Sequence, residues 1–424
     1  MTSKRTINRT IELMLTVFGV WPGISCVLLY RVFWVITLAI NQFLHYRYFV
    51  THFHFDNLFD LMDCMSSFLE FVKLMFKLII FSLKQQKFIE ILTMTAEDWK
   101  DCDNTGVELH ETARRAKLSS RICNGLIILY TISGLAYVLG FFLADTDVTD
   151  LTTELPLIMK MKYPFVIDTQ RKYRLVLATQ SVFAMVCALG AGLFNALFLT
   201  LTLHVGSQIN ILLRWLREVG SKDIEKTHDS FAAVITKIIR KHQNIINLSE
   251  KIENLYSYIA LLQFTANTVT ICSLGFLIVT AIGTPDATEK IVKCLLFYFD
   301  TNLEAFIFCF AGEYLSNKSK AIGNAAYNSA WYDMKAKDSR ILLFTILRSQ
   351  RQLQLTAGKM AVLSLEYFTS YAEIRLTVGH VCTSRRRVRV RRNHCIFKYA
   401  ITSPAPEGKR QDPTCVLPLL VSML

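Results

Sequence analysis

The chain has no glycine-rich phosphate loop, no HExxH, no GxSxG and no paired-carboxylate constellation. The constellations that support phosphoryl transfer, zinc hydrolysis or acyl transfer are therefore missing, and no enzyme is expected. Glycine and proline are scarce, 17 and 8 in 424 residues, which excludes collagen-like and linker-dominated architectures. The 11 cysteines form no CxxC pair, and their odd number argues against a disulfide framework. Cys123, Cys187, Cys272, Cys294 and Cys309 fall inside apolar runs, where a thiol behaves as a small hydrophobe. His45, His52, His54 and His110 follow no ligand spacing, so neither a metal nor a cofactor is expected.

What the chain has in excess is apolar surface: 52% of residues, 29 phenylalanines and a mean hydropathy of +0.33. A helix needs roughly 20 apolar residues to cross a bilayer. Six runs qualify: Val32–Val50, Met65–Leu83, Ile122–Ala144, Leu175–Leu203, Ser257–Ile282 and Ile291–Gly312, with a seventh starting near Lys359. The pattern predicts an all-α membrane protein built as a seven-transmembrane helix bundle. The first apolar run, Ile11–Val20, is followed by no small-residue cleavage site, so the first span is expected to act as a signal anchor.

Charge orients the bundle. Lys4, Arg5 and Arg9 precede the first span, whereas Thr51–Cys64 after it holds Asp56, Asp60 and Asp63 and no Lys or Arg. The amino terminus is therefore expected inside. The stretches 204–256 and 313–358 are rich in Lys and Arg and also fall inside, while 145–174 opens acidic, with Asp145, Asp147, Asp150 and Glu154. Three glycosylation sequons, at Asn8, Asn247 and Asn317, all fall on the inner side, where they would go unused. This orientation is the reverse of a G-protein-coupled receptor.

The second span carries Glu70, Lys73 and Lys77 at i, i+3 and i+7, one stripe of a helix. Either the stripe faces the bundle interior or a cavity, or the helix is partly interfacial with snorkelling lysines. Ile11–Val20 predicts a short amphipathic helix stopped at Trp21-Pro22. Residues 84–121 are expected to be helical, the fourth span to continue inward through His204–Leu216, and the sixth to do likewise through Ile341–Leu355. The expected division is 1–27, an amino-terminal cytosolic anchor; 28–370, the bundle with its cytosolic helical block; and 371–424, a basic tail.

Residues 12–22, ELMLTVFGVWP, 201–216, LTLHVGSQINILLRWL, and above all 312–332, GEYLSNKSKAIGNAAYNSAWY, followed by AVLSLEYF at 361–368, resemble the insect odorant receptor family, of the odorant-tuning type and not the shared co-receptor. The resemblance covers roughly residues 1–370. It implies a ligand-gated cation channel subunit in the plasma membrane of olfactory sensory neurons, acting in smell. Its partners would be a volatile small-molecule odorant, the lipid bilayer and the odorant co-receptor in a heterotetramer, with no nucleic acid. It also implies a pore lined by the seventh helix and a ligand pocket among the outer halves of spans two to six. Candidate ligand residues are Tyr130, Ser133, Gly134 and Tyr137 on one face of span three, with Gly134 leaving room, and Phe71, Met75, Phe183 and Phe276. Trp331, Tyr332, Leu343, Ile346 and Leu347 are candidates for the subunit interface. A gustatory receptor of the same fold, a metabotropic chemoreceptor and a non-conducting aberrant isoform are the alternatives.

After Ser370 the family pattern stops. The remaining residues hold ten Lys/Arg against three acids, a net +7 of the total +13, with six arginines in Arg385–Arg392. A nucleic-acid or lipid-binding arm is one reading of that run; translated non-family sequence is the expected one. His380, Cys382, His394 and Cys395 match no zinc spacing.

Overall fold

A computed structural model describes residues 7–23, 27–53, 58–103, 106–143, 157–218, 231–282, 284, 287–329, 331, 336–371 and 373. Among them are helices α1 (Arg9–Val17), α2 (Val27–Thr51), α3 (Leu58–Leu83), α4 (Gln85–Asp103), α5 (Gly106–Leu143), α6 (Gln170–Glu218), α7 (Phe231–Ala281), α8 (Ala287–Tyr327) and α9 (Ala336–Gln350). A hairpin follows, β1 (Thr356–Ala357) and β2 (Ala361–Val362), and residues 365–371 are again helical. Spans one to six correspond to α2, α3, α5, α6, α7 and α8. Tyr332 and everything from Ile374 onward, including the arginine run, lie outside the described residues.

Long unbroken helices are what a lipid solvent demands, since each backbone N–H and C=O must be satisfied within its own segment. Five described helices are long and apolar enough to cross a membrane. α3 falls short because of its charges. α2 is peripheral: only 11% of its span is buried, and Leu28, Leu29, Phe33, Ile36 and Ile40 point away from the protein. α6 is the central helix, with 61% of its span buried. It packs on α5 through small residues, Ala188 lying against Gly134 and Gly192 against Tyr130. An added Cβ on Gly134 would come within 2.8 Å of the Ala188 Cβ, so this glycine is consumed by helix contact and leaves little room beside it.

The charged stripe of α3 turns inward. Lys73 and Lys77 are buried, which decides against snorkelling lysines. At the other end of the chain's first segment, α1 buries Ile11 and Leu15 against the core and stops at Val17. The stop is earlier than Trp21-Pro22, because Gly19 takes a left-handed φ of 68° and Val20 N–H turns back to the Leu15 carbonyl at 2.8 Å.

The ends of α6 and α7 that the charge pattern places inside extend beyond bilayer length and pack with α4. Asp98 of α4 is their junction: its carboxylate accepts from Lys241 Nζ at 2.7 Å and pairs with His204 Nε2 at 3.0 Å. Burial pushes the Asp98 carboxyl upward, but the bond from His204 and the charges of His204 and Lys241 outweigh it and hold its pKa below the ordinary value. Lys251 pairs with Glu90, tying α4 to α7 again, and Lys84 Nζ, in the joint between α3 and α4, donates to the Asn254 carbonyl of α7 at 2.5 Å.

Span six does not run on through Ile341–Leu355. α8 ends at Tyr327, α9 is a separate helix, and Leu355 already lies beyond it. Nor does a helix begin at Lys359. Residues 358–360 form the tip between β1 and β2: Gly358 and Lys359 both have positive φ, 60° and 61°, and the Met360 N–H closes the turn on the Ala357 carbonyl at 3.0 Å. The hairpin is seated on α7: Gly358 N–H donates to the Ser257 carbonyl at 2.9 Å, Lys359 N–H to Ser257 Oγ at 3.1 Å, and Thr356 Oγ1 to Glu253 at 2.6 Å. The last described helix starts only at Leu365.

Candidate ligand site

The polar stripe of α3 meets two acids of α8. Asp300, Thr301 and Glu304 lie on one face of that helix at i, i+1 and i+4. Lys73 Nζ donates to Glu304 Oε2 at 2.8 Å and to Asn267 Oδ1 of α7 at 2.9 Å, and pairs with Glu70 at 2.7 Å. Lys77 reaches the other Glu304 oxygen at 3.5 Å. Asn195 of α6 links this cluster to α5, donating to Tyr130 Oη at 3.0 Å and to Glu304 at 3.4 Å. Five helices thus converge on one hydrogen-bonded group of charges, and an ionised side chain at this depth is tolerable only when so partnered.

Against this cluster lies a cavity of about 80 Å³. α3 supplies Ser67, Glu70 and Phe71; α5 supplies Tyr130, Ser133, Gly134 and Tyr137; α6 supplies Ala184, Cys187, Ala188 and Ala191. α8 supplies Leu296, Phe297, Asp300, Thr301 and Glu304, and Met159 enters from the segment before α6. The small α6 residues open the space, and the aromatic rings of α3, α5 and α8 wall it. The volume exceeds the roughly 10–15 Å³ that one water needs and is mainly apolar-lined, as small-molecule sites are.

Five of the eight candidate ligand residues, Phe71, Tyr130, Ser133, Gly134 and Tyr137, meet around this space. Three do not line it. Phe183 sets its edge against Phe71, with ring centroids 6.4 Å apart. Met75, further along α3, packs against the core. Phe276 is on α7, which contributes no lining residue. Sequence reasoning passed over Asp300 and Glu304, although two acids inside the apolar run Ile291–Gly312 were a visible signal. It also passed over residues 157–163, which have no helical or strand period to read.

Those residues form a plug. Gln180 of α6, fully buried, holds Met159 at both backbone groups, accepting from its N–H at 3.1 Å and donating to its carbonyl at 3.0 Å. The Lys162 N–H donates to the Leu44 carbonyl at 3.3 Å, and Lys160 pairs with Asp60 at 3.0 Å. Ile158, Met159 and Met161 are buried as a result. Tyr137 Oη donates to the Ile158 carbonyl at 3.0 Å, and its ring meets Phe297 edge-on at 5.2 Å. On the side expected outside lies a wider recess of about 570 Å³, lined by Asp60, Asp63, Lys160, Glu289, Lys290 and Lys293 among others. The two spaces share Tyr137 and Leu296 as common wall. Lys293 is paired with Asp63 at 3.1 Å and lies 5.3 Å from the Tyr137 ring.

No group of three or more His, Cys, Asp or Glu side chains among the described residues has a metal-binding arrangement. The cavity offers shape, aromatic faces and hydrogen-bonding groups.

Comparison with known proteins gives concordant results. A family model described as 7tm Odorant receptor matches residues 57–374. Putative odorant receptor 92a of Drosophila melanogaster is 28% identical over 144 residues, which is 34% of each chain. Odorant receptor 85c of the same species is 25% identical over 36% of this chain and 39% of that one. The chain thus spans little more than a third of the length of these two relatives. Odorant receptor 13a, also of Drosophila melanogaster, is 23% identical over 85% of this chain and 86% of its own. The solved structure of the insect olfactory receptor OR5 from Machilis hrabei superposes with a TM-score of 0.70 at 15% identity, over 88% of this chain and 96% of that one. The same receptor in complex with eugenol gives 0.71 at 13% identity, over 89% and 97%.

Proposed function

The chain belongs to the 7tm odorant receptor family, and from that premise we propose that it is the odorant-binding subunit of a ligand-gated cation channel. It is a multi-pass membrane protein and a receptor, not an enzyme; the match to odorant receptors sets the gustatory alternative aside. The observation that carries the ligand-binding reading is the cavity among α3, α5, α6 and α8. Its apolar and aromatic walls suit a small volatile molecule, and the few hydroxyls and carboxylates in them fix its orientation.

The subunit acts with the odorant co-receptor in a heterotetramer, in the plasma membrane of olfactory sensory neurons. The exposed apolar side chains of α9 support this assembly: Leu343, Phe344 and Leu347 face away from the protein while Ile346 packs inward, and Trp331 is exposed just before the helix. Such a stripe in water needs a covering partner, and the co-receptor's equivalent block is the proposed one.

The test is electrophysiological. Odorant-evoked current is recorded from cells expressing a co-receptor with the chain whose residues after Ser370 are replaced by an apolar family-type segment, over a panel of odorants, with and without Tyr137→Ala. The substitution removes an aromatic wall and the bond to Ile158, so the ranking of odorants should change. An unchanged ranking at normal surface expression rejects the cavity as the ligand site.

A further inference from the structure

The inner cavity is lined by one carboxylate more than its buried ammonium groups can neutralise. Glu70, Asp300 and Glu304 face the space, while Lys73 and Lys77 are the two cations of the cluster, and both are engaged by Glu304 and Glu70. Asp300 is left with a single donor, Ser133, whose hydroxyl reaches Oδ2 at 2.5 Å. The other oxygen, Oδ1, is buried and has no hydrogen-bond partner among the described residues. Lys293, the next cation along α8, is held by Asp63 and lines the outer recess.

A second feature of the same space points the same way. Phe71, Tyr130, Tyr137 and Phe297 all line it. Aromatic faces attract cations through their quadrupoles, and rings grouped around a space are the usual chemistry for holding an alkylammonium. A carboxylate with an unfilled acceptor then supplies the charge-assisted hydrogen bond that fixes the nitrogen. An uncompensated acid in an apolar, aromatic-walled cavity has a large desolvation penalty that a cationic ligand would relieve.

We propose that the ligand of this cavity is a small aliphatic amine, bound as its ammonium ion with the nitrogen on Asp300 and the alkyl chain along the rings of Phe71, Tyr130 and Phe297. The proposal rests on the reading of the cavity as the odorant site and names the ligand class for it. Ammonium groups of this kind are protonated at neutral pH, by analogy with a lysine side chain near 10.4. The neutral fraction supplies the volatile form. Asp300 is here a specificity-determining residue.

The experiment measures binding, so it does not depend on conduction. The full-length chain is purified into lipid nanodiscs, and n-hexylamine and 1-hexanol, matched in length, are titrated at pH 7 by calorimetry. The expected result is that hexylamine binds at least about tenfold more tightly, a difference of about 1.4 kcal/mol. Asp300→Asn should remove that difference by weakening hexylamine binding. The wild-type comparison stands without the variant should Asp300→Asn fail to fold. Hexanol binding as tightly as hexylamine, or a preference unchanged in Asp300→Asn, overturns the amine proposal and leaves the cavity as an odorant site. Binding of neither probe overturns both.

Discussion

Removing Lys73 should be among the most damaging single substitutions in the chain. Its ammonium is buried and holds three partners from three helices: Glu70 on α3, Asn267 on α7 and Glu304 on α8. In Lys73→Met the methylenes are largely kept, so the loss is electrostatic. Glu70 and Glu304 are left facing each other with only Lys77 to share. Breaking a buried ion pair from one side costs about 3–5 kcal/mol, because the remaining charge stays desolvated. At roughly 2 °C per kcal/mol for a chain of this size, the thermal midpoint in nanodiscs should fall on the order of 5–10 °C. The companion variant Lys73→Met/Glu70→Leu also removes the acid that pairs with Lys73, leaves Glu304 on Lys77, and should recover much of the loss, since replacing both partners by apolar groups is often close to neutral. Thermal unfolding of the wild type, the single and the double variant decides the matter. A single variant that melts within a degree of the wild type would refute the reasoning, as would a double variant no better than the single, because either result means the cluster is not held together by the charges that the geometry pairs.

Leu347→Asp places a charge on the exposed apolar face of α9 and should abolish co-purification with the co-receptor while insertion into membranes stays normal; a retained complex would move the interface elsewhere. The tail should prevent a pore, since Glu373, Arg375 and His380 follow Ser370 closely and an arginine in a cation pathway repels the permeant ion. The unmodified chain alone should therefore pass no odorant-evoked current, and replacing residues after Ser370 by an apolar family-type segment should restore it with the co-receptor; robust homomeric current would contradict this. At the inner end, the lowered Asp98 carboxyl fixes a sign: its contribution to stability is complete above the ordinary carboxylate pKa of about 3.9 and is lost as pH falls through the lower folded value. Acid unfolding of the wild type should steepen there and flatten in Asp98→Asn, and parallel curves for the two proteins would remove Asp98 from the account.

Hydropathy and loop charge were enough to read six spans and the bundle class, because lipid imposes length and apolarity on every crossing segment. Capping geometry was harder. The stops at Gly19 and the turn at Gly358-Lys359 depend on positive φ values that composition only hints at, and the hairpin is stabilised by Ser257 and Glu253, about a hundred residues earlier. The α3 stripe was legible as a stripe but not as a partnership, since its orientation is decided by Glu304, far away in sequence. On α5 the helical spacing of Tyr130, Ser133, Gly134 and Tyr137 was enough to bring those four residues to one wall. Phe276 shows the limit of composition: an aromatic residue in a span is usually packing. Gly134 shows another, for what reads as space in a sequence is occupied by Ala188 in the fold.

The wall shared by the two spaces adds a time scale to the chemistry. A molecule passing between the two spaces through this wall on the Tyr137 side would displace its ring from Ile158 and Phe297, giving up one hydrogen bond worth about 1 kcal/mol and an edge-on ring contact of similar size. That cost adds equally to the barriers for arrival and departure. It leaves the equilibrium set by the cavity untouched and lengthens the stay of whatever is inside. The affinity of the cavity is set by its rings and carboxylates, and the bond from Tyr137 to the Ile158 carbonyl then slows arrival and departure together.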